Sequence, residues 1–420
     1  MDQLPFTDDT VIFGLLCLCL GFVFYTSSIA TGFWKKFYEV VPTVLMCYLL
    51  PAILVTLGIV DEPSSNTYFI ASRYLLPAAL ILMTLSIDLK ALMNLGSKAL
   101  IMFITGTAGI IIGGPIAVLI VSFFSPETVG GSGFDAVWRG LATIAGSWIG
   151  GGANQAAMLE VFQFNPEKYG GMVLVDIVVA NLWMAILLLG VGKTERIDRW
   201  LKADTSSIEA LKVKVSTYTE KISRVTTLKD FVMIVFYAFA GVGLAHLLGY
   251  HFSEFLKNNF EVIGNKDRIL SSLGSDFLWM VAFATAIGIG LSYTKAKTYE
   301  GAGSSKIGSL FIYTLVATIG MKMDLSKILE NPGLLAVGLI WIGIHGILLI
   351  VVAKIIKAPF FFLAVGSQAN VGGAATAPIV AAEFHPSLAS VGILLAVFGY
   401  VIGTAGAYLC ALLIEVAATL

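Results

Sequence analysis

The residues best suited to bind a small solute lie in two glycine-rich segments that also carry asparagine and glutamine. The first segment begins at Gly146 and reads GSWIGGGANQAAMLEVFQFNP, and the second begins at Gly366 and reads GSQANVGGAATAPIVAAEFHP. Asn and Gln side chains offer hydrogen-bond donors and acceptors without a net charge, and glycine lets a backbone approach a ligand closely. The pattern predicts a site built from amide side chains and exposed backbone groups.

The two segments correspond to each other along the chain. At an offset of 220 residues, Gly146 and Ser147 align with Gly366 and Ser367. Further matches at the same or a similar offset are Gly152 with Gly372, Phe164 with Phe384, Pro166 with Pro386 and Asp88-Leu89 with Asp324-Leu325. We interpret the chain as a duplicated unit, with a first repeat over 1–193 and a second over 229–420. A polar linker over 194–228 joins them, and Ser206 with Glu209 predicts a capping box that opens an amphipathic helix there.

The elements that must position these segments are membrane-spanning helices. Hydrophobic residues make up 57% of the 420 positions and charged residues only 13%, about half the charged fraction of a soluble domain. A spanning helix needs about 20 apolar residues. Ten runs of that kind are present: 10–30, 38–60, 68–87, 99–124, 168–192, 229–250, 275–294, 306–321, 333–356 and 386–416. Segment 251–274 is expected to lie on the outer interface or to cover the protein there. Membrane lipid is therefore an expected partner, and nucleic acid is not.

The glycine-rich segments, 138–166 and 358–385, decide how the repeats are related. If each enters the membrane and returns on the same side, each repeat has five crossings and the repeats are inverted. If each crosses fully, the repeats are parallel. The first arrangement, with the N-terminus outside, puts most of the 26 Lys and Arg residues on the inner side, which the positive-inside rule favours. We predict an all-α, multi-pass protein of the cytoplasmic membrane with two inverted five-helix repeats and a re-entrant hairpin between the fourth and fifth helices of each.

At these residues the chain resembles the uncharacterised YjcL-like membrane family over nearly its whole length. In its layout and glycine-rich hairpin tips it is similar to the sodium-dependent citrate and glutamate symporters. That resemblance implies an elevator-type, sodium-coupled uptake system, usually a homodimer, for a small anionic or zwitterionic organic solute. It implies no cofactor apart from sodium as the coupling ion. One departure is that Asn follows the glycines in GGGANQ but precedes them in ANVGG.

A broken helix supplies two kinds of site. Its first arm ends in free carbonyl groups, which suit cations, and its second arm begins with free N–H groups, which suit anions. We predict sodium ligands at Gly146, Ser147, Gly366, Ser367, Asp176 and Thr404. We predict substrate-binding residues at Gly152, Ala153, Asn154, Gln155, Gln368, Asn370, Gly372, Gly373 and Thr376.

Asp176 stands in the middle of the apolar run GMVLVDIVVANLW. A carboxylate within a span is costly and is presumed functional until a partner explains it. Sodium ligation and proton coupling are its candidate roles. The structural alternative is an ion pair with Arg139 or Arg73.

Several other polar residues lie singly in apolar runs. Asn181 is expected to bond a neighbouring helix, and Thr404 to meet the second hairpin or to pack. His345 and His246 are expected in core or interface positions, and Asp88 and Asp324 are expected to cap or anchor their spans. The cysteines, Cys17, Cys19, Cys47 and Cys410, show no CxxC pair and indicate packing.

Competing function classes differ in the motifs that they require. The sequence contains no GxxxxGK[ST] loop for an ATP-driven pump and no HExxH for a metalloprotease. Ser147 and Ser367 have no histidine near them in sequence, so we expect no enzyme. A secondary transporter is predicted. A proton-coupled carrier with Asp176 as the proton site and a channel remain open alternatives.

Overall fold

The computed structural model describes residues 5–62, 65–85, 95–205, 225–260, 273–323, 330–385 and 388–420, with the single positions 208, 263 and 325. Throughout these residues the regular elements are helical, as predicted, and an isolated bridge joins Phe6 to Val60. The capping box predicted at Ser206 and Glu209, and the caps predicted at Asp88 and Asp324, lie outside the described residues.

The helices follow the predicted apolar runs. The first half contains α1 (Asp9–Ser27), α2 (Gly32–Val40), α3 (Thr43–Thr56), α4 (Thr67–Leu85), α5 (Ser97–Phe124), α6 (Val137–Phe162), α7 (Tyr169–Val191) and α8 (Thr194–Leu201). The second half contains α9 (Leu228–Asn259), α10 (Asp276–Ser292), α11 (Ser304–Met321), α12 (Gly333–Ile356), α13 (Phe360–Val371), α14 (Gly373–Phe384) and α15 (Ala389–Thr419).

Length and apolar composition qualify many of these helices to cross a membrane. Within the described residues, 8 helices meet that requirement, or up to 10 if each of two bent helix pairs is one span. One boundary predicted from sequence is wrong. The apolar run predicted to end at residue 250 belongs to a helix that continues to Asn259, so the first part of segment 251–274 extends α9. The start of α9 is fixed by Thr227 and Asp230, which form a capping box.

The helices pack as two bundles. Bundle 1 consists of the first long helices of each half, namely α1, α3, α4, α9, α10 and α11, which contact mainly one another. Bundle 2 consists of α5, α6 and α7 from the first half with α12, α13, α14 and α15 from the second, and its most extensive contact joins α6 to α15. Both glycine-rich segments therefore belong to bundle 2.

Close packing inside bundle 1 depends on glycine, which gives a testable difference between two residues of α9. A Cβ at Gly249 would lie 2.7 Å from the backbone nitrogen of Met280 in α10, whereas a Cβ at Gly243 would meet nothing within 4 Å. We expect Gly249→Ala to destabilise the protein by about 1–3 kcal/mol, because the backbone of α10 must move. Gly243→Ala should be neutral or slightly stabilising, since alanine favours helix. Thermal unfolding in detergent measures the stability of the two variants. Equal melting temperatures would contradict the close contact of Gly249 with α10.

Candidate functional site

Helix α6 is broken at Gly151 and folds back on itself. Gly151 has φ 71° and ψ −174°, a conformation that favours glycine. Nη1 of Arg139, near the start of α6, donates to the carbonyl of Phe162, at its end, at 2.5 Å. A straight helix would hold these two residues about 35 Å apart. The two arms of α6 therefore run back along each other, and we call them hairpin 1.

The second glycine-rich segment has the same form. Helices α13 and α14 meet at Gly372 and Gly373, and Gly373 has φ 57°. The ring of Phe384, at the end of α14, lies 5.8 Å from the ring of Phe360, at the start of α13. We call this pair hairpin 2. The two breaks are adjacent, because a Cβ at Gly373 would lie 3.9 Å from the Cα of Gly151.

Asn154 fixes hairpin 1 instead of facing a solute. Its Nδ2 donates to the carbonyl of Gly150 at 2.8 Å, across the break. Its Oδ1 accepts from Oγ1 of Thr404 in α15 at 2.7 Å, and the residue is fully buried. Thr404 was expected to meet the second hairpin, but it holds the first, because α15 packs along α6.

Asn370 and Gln368 make side-chain hydrogen bonds in hairpin 2. Nδ2 of Asn370 donates to the carbonyl of Gly366 at 2.9 Å, and its Oδ1 accepts from Oγ1 of Thr107 in α5 at 2.7 Å. Nε2 of Gln368 donates to Oγ1 of Thr376 at 2.6 Å, joining the two arms. Gln368 therefore links the two arms across the break, whereas Asn370 anchors the first arm to α5. Oε1 of Gln368 is buried without a hydrogen-bond partner among the described residues.

A cavity of about 330 Å³ lies where bundle 1 meets the breaks of bundle 2. Six of the predicted site residues line it: Ser147, Gly152, Ala153, Gln155, Asp176 and Gly372. Its other walls include Val44, Tyr48, Met83, Ser309, Ile312, Tyr313 and Val316 from bundle 1, and Tyr400 from bundle 2. The structure places the remaining predicted residues away from this lining: Gly146, Asn154, Gly366, Ser367, Gln368, Asn370, Gly373, Thr376 and Thr404.

Asp176 is the charged group of this cavity. Its carboxylate accepts from Nε1 of Trp148 at 2.6 Å and from Nε2 of Gln155 at 3.0 Å, and the residue is 7% exposed. The alternative of an ion pair with Arg139 or Arg73 is wrong, because Arg73 pairs with Glu160 and Arg139 donates to a backbone carbonyl. These donors, with Ser147 as a third neutral hydrogen-bonding partner, stabilise the carboxylate, and no Lys, Arg or His among the described residues lines the cavity to compensate its charge.

Ser367 lies in a different setting from Ser147. It is fully buried, accepts from Nε1 of Trp183 at 2.8 Å and bonds Nε2 of His345 at 2.7 Å. Nδ1 of His345 bonds the carbonyl of Gly106 at 2.9 Å, which leaves Nε2 to accept from the serine. No histidine lies near Ser367 in the sequence, but the fold brings His345 into contact with it. The pair does not line the cavity, so it adds no reactive group there.

The structure also shows the contacts of Asn181 and His246, two polar residues that lie singly in apolar runs. Nδ2 of Asn181 donates to the carbonyl of Ile177 in its own helix at 2.7 Å, so the predicted bond to a neighbouring helix is wrong. His246 takes an interface position, because its Nε2 bonds the backbone carbonyl of Arg73 across the contact of α9 with α4 at 2.8 Å.

A polar cluster joins the two bundles at some distance from the cavity. Glu160, on the second arm of hairpin 1, pairs with Nη1 of Arg73 in α4 at 2.8 Å and accepts from the hydroxyl of Tyr68. Arg73 lies in the π-helical stretch Ala71–Leu75 and stacks over Phe277 of α10 at 4.3 Å. Lys322 lies over the ring of Tyr68 at 4.5 Å. Bundle 1 therefore fixes the partners of Glu160, and we call this contact the Glu160 clasp.

Sequence reasoning missed Trp148, Glu160 and the cavity tyrosines. Trp148 directly follows Ser147, and an indole N–H beside a predicted polar tip was an available signal, because a buried indole nitrogen usually finds an acceptor. Glu160 gave no such signal, since its partners are 87 and 92 residues away along the chain.

The long apolar helices and the polar cavity between them define a multi-pass integral membrane protein. Residues 14–416 match the family described as "Protein of unknown function (DUF819)". The chain belongs to that family, which confirms the resemblance seen in the sequence. It is 23% identical over 404 residues to the "Uncharacterized membrane protein YjcL" of Bacillus subtilis (strain 168), and the match covers 91% of this chain and 93% of that protein.

Proposed function

We propose that this protein is a secondary active transporter that carries a small organic solute by alternating access. The observation that carries the proposal is the position of the cavity, which lies on the boundary between two bundles and beside both helix breaks. In an elevator-type movement, bundle 2 slides against bundle 1 and carries the site with it. A homodimer held through bundle 1 is part of the proposal.

Contacts at the helix ends support two inverted repeats. Nζ of Lys98 and the backbone nitrogen of Asp204 donate to the carbonyl of Lys357 at 3.3 and 3.2 Å, which brings the start of α5, the linker and the end of α12 to one face. Nδ2 of Asn331 donates to the carbonyl of Thr128 at 2.9 Å, joining the other ends of α12 and α5. We assign the Lys357 face to the inside and the Thr128 face to the outside, because the inner side carries the basic residues.

The two hairpins return to opposite faces. The backbone nitrogen of Asn165, just after hairpin 1, donates to the carbonyl of Phe134 at 2.9 Å, in the loop that follows Thr128. The backbone nitrogen of Phe360, at the start of hairpin 2, donates to Oδ1 of Asp198 at 2.7 Å, on the linker side. Hairpin 1 would thus re-enter from the outside and hairpin 2 from the inside. Broken helix ends are tolerated at membrane depth where they line such a cavity.

The position of the cavity along the helices favours an inward-facing state. Val44 lies in the first turn of α3, Ser309 in the second turn of α11 and Met83 in the last turn of α4. These ends belong to the inner face in the proposed topology, whereas the Glu160 clasp closes the bundle boundary on the outer side. One-sided closure of this kind favours a carrier over a channel.

Sodium is the coupling ion that we propose. The cavity offers it the hydroxyl of Ser147, near the end of the first arm of hairpin 1. Helix-end carbonyl groups beside it, of which that of Gly150 also accepts from Asn154, would complete a set of oxygen ligands in a region of negative helix-end potential. A proton carried by Asp176 is the alternative. Thermal unfolding in NaCl and in KCl at equal ionic strength separates them, because a sodium-specific, saturable rise in melting temperature requires a native sodium site.

Cysteine labelling tests the alternating access itself. In a background with Cys17, Cys19, Cys47 and Cys410 replaced by alanine, Ser309→Cys should react with a membrane-impermeant maleimide from the inner side. Leu310→Cys is the matched control, since Leu310 is 55% exposed on the lipid-facing side of the same helix and should stay unlabelled. Labelling of Ser309→Cys from both sides at once would indicate a channel, and its absence from the inner side would contradict the proposed state.

A further inference from the structure

The charge of the cavity is unbalanced. Among the described residues that line it, Asp176 carries the charge, and no Lys, Arg or His is present. Its carboxylate accepts hydrogen bonds from the neutral donors Trp148 and Gln155, and Ser147 is a third neutral hydrogen-bonding partner. A buried charge is costly unless an opposite charge compensates it. The cavity is therefore built to receive a positive group.

Aromatic side chains surround the same space. Tyr48 and Tyr313 line it from bundle 1, and Tyr400 lines it from bundle 2. The ring of Tyr400 lies at the first break, because its Cε1 would be 3.4 Å from a Cβ at Gly151. The ring of Tyr313 is held by an edge contact with Phe24 at 4.8 Å between centroids. Aromatic rings attract cations through their π faces and bind quaternary ammonium groups with particular preference.

We propose that the transported solute carries a positively charged nitrogen, either a protonated amine or a quaternary ammonium, which lies between Asp176 and the three tyrosines. This inference rests on the proposed transporter function and assigns Asp176 to the solute, leaving sodium to Ser147 and the helix-end carbonyls. A sodium ion needs only oxygen ligands, so the tyrosine rings have no role in a site for sodium alone. The cavity volume of about 330 Å³ leaves room for further groups of the solute beyond the nitrogen.

An isosteric pair of probes tests the charge directly. Thermal unfolding of the purified protein is measured in constant NaCl with choline chloride, and separately with 3,3-dimethylbutan-1-ol, which has the same shape without the charge. Methylammonium and tetramethylammonium chlorides and sodium succinate complete the panel, each at matched ionic strength. We expect saturable stabilisation by at least one ammonium ion and none by the alcohol or succinate. Stabilisation by the alcohol equal to that by choline, or none by any ammonium probe, overturns the proposal.

Variants connect the effect to the named residues. Asp176→Asn should raise the half-saturating ammonium concentration by about 10- to 100-fold, because the charge partner is lost. If Asp176→Asn does not fold, a second pair of variants tests the proposal. Tyr400→Leu removes the aromatic ring and should weaken ammonium binding, whereas Tyr400→Phe keeps the ring and should not. If Asp176→Asn abolishes stabilisation by sodium and leaves that by ammonium intact, Asp176 belongs to the coupling ion and the inference is wrong. Failure of the transporter proposal would be seen in a different experiment, as labelling of Ser309→Cys from both sides of the membrane.

Discussion

Replacing Ser147 with alanine is expected to raise the sodium concentration for half-maximal thermal stabilisation by about 10- to 100-fold, because a hydrogen-bonding or ligating group that meets a charge contributes about 1.5–3 kcal/mol. Ser147 lines the cavity at the end of the first arm of hairpin 1. Its hydroxyl oxygen is of the ligand type that hard cations prefer. The measurement is the melting temperature in detergent as a function of NaCl, with KCl keeping the ionic strength constant.

Ser367→Ala is the matched control for this experiment. Ser367 occupies the corresponding position of the second repeat, but it is fully buried and bonded to Trp183 and His345. Its replacement should lower the melting temperature at every salt concentration and leave the half-saturating sodium concentration unchanged. An unchanged sodium response in Ser147→Ala, or an equal shift in both variants, would rule out the cavity serine as a sodium ligand.

Glu160→Gln should have the second large effect, a shift of the protein toward a state open to the outer side. The clasp joins hairpin 1 to α4 through Arg73 and Tyr68, so outward opening has to break it. The side chains of Arg73 and Glu160 are 30% and 16% exposed, and solvent screening therefore limits the loss to about 1–2 kcal/mol. That change corresponds to about a 5- to 30-fold rise in the population of the open state. The rate at which Ala153→Cys is labelled from the outer side measures it, since Ala153 lines the cavity and moves with bundle 2 in the proposed movement.

Asp135→Asn provides a control with the same change of charge. Asp135 pairs with Lys168 at 3.0 Å, and both residues flank the helices of bundle 2, so this ion pair does not cross the bundle boundary. We expect its loss to leave labelling of Ala153→Cys from the outer side unchanged. If the two variants behave alike, the Glu160 clasp does not hold the bundles in the state described here.

Ser147 and Ser367 show that matching two segments by sequence does not predict which residues surround each matched position. The sequence made Ser147 and Ser367 equivalent, because each follows a glycine at the same offset. Their neighbours along the chain are similar, but their neighbours in space are not. Trp148 bonds Asp176 beside the cavity, whereas Trp183 and His345 close around Ser367. Matched positions in the two glycine-rich segments therefore do not guarantee equivalent surroundings, since each segment packs against different helices.

The amides show the same limit for side-chain chemistry. Asn154 and Asn370 were predicted to orient a solute, because amides beside glycines in a membrane segment are suited to that. Each instead donates to a carbonyl four residues earlier, Gly150 and Gly366. Bare carbonyl groups at a helix break cost free energy in an apolar interior. Asn154 thus satisfies a carbonyl at the break of hairpin 1, whereas Gly366 lies inside α13 and Asn370 anchors that arm to α5. The sequence does not tell these uses from ligand binding.

By itself the sequence determined that this is a helical membrane protein, where most of its long helices lie, and which two segments are glycine-rich and matched. These properties follow from the length of apolar runs and from local glycine content, which neighbouring residues fix. Only the tertiary structure decided that the two breaks meet, that Asp176 has no basic partner among the described residues, and that Glu160 joins the bundles. Those facts depend on distances between helices remote in sequence, and such distances are set by packing and not by any local pattern.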